Sequence, residues 1–204
     1  MIYYINICLR SFFMKKKLLV APTALILFAS SYTFAIGLGP QANFNYGFVH
    51  GNPKYGCMDG GLALSAKFDA LPVYCSFSVD FGKTGFIHID SNDNVHNPWR
   101  INVGAIADYW IMNPEIIGLW HWYWGAGGAV DLGFTTRGNN IYLGFGPRIF
   151  IGMHWWFANG FLELYAQQVF YPQFQFAIGT DGRDNGMFRV PIYFPAEMGL
   201  RFWF

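Results

Sequence analysis

The stretch from residue 82 to 98 holds His88, Asp90, Ser91, Asp93 and His96. Imidazoles and carboxylates at this spacing have the chemistry of metal ligands. A serine among them raises a Ser-His-Asp set. The plainer reading comes first, because polar loops are rich in Asp, Asn and His and nothing in the spacing fixes a reactive geometry. A second set runs the length of the chain: Lys67, Asp80, Arg100, Asp108, Asp131, Arg148, Glu163, Glu197 and Arg201. These residues can meet only inside a fold. There they would form a structural network of ion pairs and hydrogen bonds, or else line a polar path for water or ions. Gly37-Leu38-Gly39 and Gly144-Phe145-Gly146 are not phosphate loops, since neither is followed by Lys-Ser/Thr or a strand-to-helix context.

The elements that must position these residues are strands. Eight segments alternate with period two: 37–48, 60–69, 72–81, 99–110, 119–131, 141–155, 161–170 and 189–204. Segment three reads Val73, Cys75, Phe77, Val79 and Phe81 on one face, with Tyr74, Ser76, Ser78 and Asp80 on the other. Across all eight, no Asp, Glu, Lys or Arg falls on the apolar face. A charge facing lipid at the bilayer midplane costs roughly 2–4 kcal/mol, so a bilayer would impose this exclusion. A lipocalin-like soluble barrel is the rival, but it would be apolar inside and wet outside. Links alternate too. Short ones fall at 70–71, 111–118 and 157–160; long ones fall at 49–59, 82–98, 132–140 and 171–188. Short periplasmic turns and long outer loops follow the same rule. Trp99 and Phe81 at one end, and Tyr109, Trp120, Trp155, Phe202 and Phe204 at the other, would form interface girdles.

The expected fold is therefore all-β: an eight-stranded antiparallel up-and-down transmembrane β-barrel over residues 36–204. Pro40, Pro147, Pro191 and Pro195 fall inside strands, where each removes a ladder donor; bulges are expected there. An eight-stranded barrel is just wide enough for side chains to fill, so the nine charged residues should plug the lumen. Gly144, Gly146 and Gly152 make room for Arg148, which should pair bidentately with Glu163 or Glu197. His121 and His154 should point inward near the periplasmic end.

Residues 1–35 read as a secretory leader, with Met14 as the true start, Lys15-Lys16-Lys17 as the basic region and Thr33–Ala35 as the cleavage site. The mature chain would run 169 residues as one domain, with 9 basic against 12 acidic residues. A net charge near −3 argues against a nucleic-acid partner. Charged residues are only 12% and aromatics 21%, with 24 glycines, whereas soluble domains carry about 25% charge. Cys57 and Cys75 should lie near opposite ends of the barrel and stay free thiols. No cofactor is expected.

Ala196, Met198, Leu200, Phe202 and Phe204 alternate up to the last residue. This ending resembles the assembly signal of bacterial outer-membrane barrels, carried by Met198, Leu200, Phe202 and Phe204. The whole mature chain resembles the small OmpA-like eight-stranded outer-membrane barrels. The stretch Gly146-Pro147-Arg148-Ile149-Phe150-Ile151-Gly152, followed by Gly160-Phe161-Leu162-Glu163-Leu164-Tyr165, is similar to a hairpin of small spirochaete outer-membrane proteins of unknown function. The resemblance implies bacterial outer-membrane localisation. It implies outer-membrane lipid, the barrel assembly machinery and an extracellular or host ligand as partners, and roles in envelope integrity, adhesion or binding. No catalytic motif comes with it. The leading expectation is a non-enzymatic barrel working through its outer loops. The alternatives are a narrow pore for small solutes or ions, and a lipid-modifying barrel enzyme using His88, Ser91 and His96.

Overall fold

Residues 36–204 close on themselves as a barrel. The computed structural model describes residues 35–49, 56–83, 88–89, 95–96, 99–135, 141–178 and 187–204; the segment expected to be a leader lies outside them up to residue 34. Eight strands form the wall: β1 Ile36–Val49, β2 Gly56–Phe68, β3 Val73–Lys83, β4 Trp99–Met112, β5 Trp120–Thr135, β6 Ile141–Phe157, β7 Leu162–Pro172 continued by Phe174–Ile178, and β8 in three pieces, Met187–Arg189, Pro191–Tyr193 and Ala196–Trp203. Each pairs antiparallel with the next, and β8 returns to β1 through pairs such as Leu38 with Phe202 and Gly47 with Tyr193. Ile36 and Phe204 exchange both backbone hydrogen bonds at 3.1 Å. A closed wall leaves no unpaired edge, the condition for strands to sit in hydrocarbon.

The registers fix the tilt. From Gly37 the pairing runs through Lys67, Tyr74, Asp108, Gly127 and Arg148. Extending the β6–β7 register one step past Phe170–Ile149 leads to Tyr171, and from there the pairing passes to Tyr193 and returns to β1 at Gly47, ten residues higher. Eight strands with this stagger tilt by roughly 40°. Strands of 11 to 17 residues exceed the ~9–11 that cross a bilayer at such a tilt. The segments expected as long links contribute strand residues: 49, 56–59, 82–83, 88–89, 95–96, 132–135, 171–172, 174–178 and 187–188. Asp69, placed on the inner face of segment two, instead lies exposed in the turn after Phe68.

The expected proline bulges are absent. Pro40 pairs with Leu64 and Pro147 with Gly128 in continuous register. Around Pro147 and Pro172 the β6–β7 ladder opens between Phe170–Ile149 and Phe174–Phe145 without changing register. The β7–β8 ladder does the same between Gln168–Ala196 and Tyr171–Tyr193. Missing donors thus make gaps rather than insertions. Inserting one residue would turn every later side chain to the wrong face. A register shift does occur at Trp110–Met112, where the chain leaves the membrane.

The outer wall is the apolar face. Leu62, Leu64, Phe77, Val130, Ile149, Ile151 and Met198 are exposed on it. Trp99 and Phe81 at the loop end, and Tyr109, Trp120 and Phe204 at the turn end, are also exposed. Glycines on the inner wall take aromatic rings from the next strand. The ring of Tyr165 lies where a Cβ on its cross-strand partner Gly199 would be, 2.5–2.7 Å away. Tyr123 covers Gly152, Phe150 covers Gly125 and Trp203 covers Gly37 in the same way. A chain rich in both Gly and aromatics interlocks inside a narrow barrel.

Candidate functional site

All nine residues of the charged set project into the lumen. Eight of them are buried and Asp131 is partly so. Strand alternation puts them there, and stagger sorts them into three levels.

At the turn end, Glu163 accepts from Lys67 Nζ at 3.1 Å, Arg201 Nη1 at 3.2 Å and Trp203 Nε1 at 3.0 Å. His154 Nδ1 lies 3.1 Å from the same carboxylate, and its Nε2 is 2.8 Å from Asn113 Oδ1. Lys67 Nζ stands 3.5 Å over the Trp110 ring, which stacks on Tyr123 at 3.6 Å. Arg201 lies 3.6 Å over Tyr165. Each cation therefore meets both a carboxylate and an aromatic face, which offsets part of its desolvation. His154 is buried as expected and stacks on His121 at 4.9 Å.

In the middle, Arg148 Nη2 reaches Glu197 Oε1 at 2.8 Å and Asp108 Oδ2 at 3.2 Å. One guanidinium nitrogen is shared between two carboxylates, so the bidentate pairing expected of Arg148 does not form. Glu163 is not a partner, because it is engaged a level below. Gln167 donates to Glu197 at 2.6 Å and accepts from Tyr123 at 2.9 Å.

At the loop end, Arg100 Nη2 donates to Asp59 Oδ2 at 2.8 Å and to the Tyr193 hydroxyl at 3.3 Å. Asn43 and Ser78 donate to Asp80 at 3.2 and 2.8 Å. Tyr171 donates to Asp131 at 3.2 Å, and Gln173 also donates to it. Gln173 and Gln175, placed by sequence in the last loop, are buried lumen residues. The strand continues past Pro172, and alternation turns both inward. Asp59, Tyr171 and Tyr193 belong to this level and were not in the sequence set. Extending the inward parity of segment two back from Lys67 through Gly61 would have found Asp59.

Other expected sites fall elsewhere. His88 and His96 are backbone partners in a short antiparallel ladder, with Ile89 opposite Val95. Their side chains, with Asp90, Ser91 and Asp93, lie outside the described residues. Cys75 is a free thiol. Cys57 lies nine residues along β2 from Ala66, the partner of Cys75, roughly 30 Å at strand rise. Among the described residues no group of three His, Cys, Asp or Glu side chains is placed to hold a metal.

A closed wall, apolar outside and charged inside, defines the class: the fold is that of a bacterial outer-membrane β-barrel. Solved structures share it. Neisserial surface protein A is 13% identical, with 83% of this chain and 99% of that chain covered and a TM-score of 0.55. The outer membrane protein OprG of Pseudomonas aeruginosa is 11% identical, with 84% and 95% covered and a TM-score of 0.51. No protein-family model and no curated protein sequence matches the chain.

Proposed function

We propose that this protein is a non-enzymatic outer-membrane barrel whose lumen is closed and whose surface role lies in the loops opposite its termini. The observation that carries this reading is the Glu163 cluster. One buried carboxylate holds Lys67 and Arg201, with Trp110, Tyr123, Tyr165 and Trp203 packed around it. Opening a path through this level would strand at least one buried charge, at about 3–5 kcal/mol. The lipid face offers few polar groups to a ligand. Recognition then falls to the connections between strands, which can change without disturbing the ladder.

Planar-bilayer recording of the refolded protein tests closure, and steady conductance at ordinary voltages would replace this reading with a narrow pore. Replacing residues 86–96 with a short Gly-Ser turn tests the loops. The variant should keep its heat-modifiable mobility and lose binding to host-surface components that the intact protein retains. Equal binding by both proteins would remove this loop from the proposal.

A further inference from the structure

We propose that the barrel pairs side by side in the membrane with a second copy of itself, through the outward face of β5 to β8. The wall is not equally tall all round. β3 has 11 residues and β6 has 17. At a tilt of roughly 40° those lengths rise roughly 25 and 40 Å, against an apolar band of ~25 Å. On β6 every outward position from Ile141 to Phe157 is apolar.

Register carries the excess upward. Phe81, near the loop end of β3, pairs with Ile101, Ile101 with Phe134, Phe134 with Ile141, and Ile141 with Ile178. Strands ~4.8 Å apart and tilted ~40° climb roughly 3 Å at each pairing, so Ile141 stands roughly 9 Å above Phe81. Phe134, Ile141, Phe176 and Phe188 crown this side and are 39–52% exposed. Phe176 pairs with Phe188, ring centres 5.1 Å apart, and stacks on Phe145. A contiguous apolar patch above the lipid marks an interface.

The same face is shaped lower down. Trp122 pairs with Met153, Met153 with Ala166, and Ala166 with Met198. In the next row Ile151 pairs with Gln168, and Gln168 with Ala196. Small Ala166 and Ala196 beside Trp122, Ile151, Met153 and Met198 leave a groove of about 560 Å³. A two-fold axis along the membrane normal sets this groove against its own ridges, the self-complementary form of a C2 interface. Small residues let the two walls approach, as they do between membrane helices.

Three occupants compete for this face, and one suits all of it. Acyl chains fill the groove but end at the headgroups, below Phe176 and Phe188. A soluble protein reaches those rings but not a groove in hydrocarbon. A second copy is held in the same bilayer and rises to the same height, so each patch meets its own image. Pairing also spares the bilayer from thickening beside β6, and mismatch of this kind drives association.

The inference needs a membrane barrel but not a closed lumen, so conductance has no bearing on it. The test uses the mature barrel refolded in phosphatidylcholine vesicles at low protein-to-lipid ratio, with Cys57 and Cys75 replaced by Ser and one cysteine introduced at a time. Oxidation should join barrels carrying Ile151→Cys, Met153→Cys or Met198→Cys, at least one of them fivefold above Leu64→Cys on the opposite wall. Filling the groove with Ala166→Trp, or with Ala196→Phe should the first not fold, should cut that yield at least fivefold while heat-modifiable mobility is kept. Longer-chained phosphatidylcholine, whose thicker core covers the upper rings, should lower it as well. Yields no higher than at Leu64, unchanged yield in a folded groove-filled variant, or yield indifferent to bilayer thickness would each overturn the proposal. A lone barrel that carries lipid through gel filtration would overturn it too and assign the groove to an acyl chain.

Discussion

Gln168 turns its side chain toward lipid, and its Nε2 donates to the Pro195 carbonyl at 3.0 Å and the Phe194 carbonyl at 3.1 Å. A carboxamide on the lipid face is there for the backbone. Pro195 has no N–H to give the ladder, and Gln168 adds a side-chain donor to the Phe194 carbonyl and a second donor to the Pro195 carbonyl, which also accepts from Val169 N–H at 2.8 Å. Gln168→Leu should lower barrel stability by about 0.5–1.5 kcal/mol, the usual net worth of a hydrogen bond, although the change makes the outer face more apolar. Urea unfolding in lipid vesicles measures it. A variant as stable as the parent would mean those carbonyls find other donors.

Arg148→Met is expected to destabilise the barrel without opening it. The change removes the one cation shared by Asp108 and Glu197, and breaking a buried pair on one side costs about 3–5 kcal/mol. The Glu163 level below is untouched, so conductance should stay at baseline. Unfolding and planar-bilayer recordings on the same preparation separate the two effects. A new conductance would make the middle level the barrier.

Gly199→Val should be costly for a different reason. Its Cβ would overlap the ring of Tyr165, which also carries Arg201 on its face and donates to Gln41 at 2.7 Å. Displacing the ring disturbs packing, a cation–π contact and a hydrogen bond together. A loss of about 1–3 kcal/mol, as for overpacked cores, should appear as a lower urea midpoint with unchanged strand content by circular dichroism. Tyr165→Ala in the same background should not recover it, because the Arg201 contact is then gone.

Deleting Phe204 tests assembly rather than the finished fold. Phe204 is 74% exposed, so its side chain adds little to packing. Its backbone exchanges hydrogen bonds with Ile36 at the β1–β8 seam. The truncated protein should still refold in detergent yet insert poorly in cells. Surface labelling at parental levels would count against Met198, Leu200, Phe202 and Phe204 as a targeting signal.

Alternation by itself determined which residues face inward. Side chains switch faces at every step, so Lys67, Arg148 and Glu163 could be assigned to one interior before any partner was known. Partners were another matter. Arg148 was expected to pair bidentately with Glu163 or Glu197; it meets Glu197 through one nitrogen that it shares with Asp108, because stagger between strands, not distance along the chain, sets which inward residues share a level. The same stagger placed Asp59 beside Arg100 and drew Gln173 and Gln175 out of a supposed loop. Prolines were legible as missing donors, but only the closed wall decided their consequence: a gap keeps every side chain on its face, and a bulge would not. Face is a local property with period two, readable one strand at a time. Register is a property of pairs of strands around a closed circuit, and no single stretch of sequence contains it.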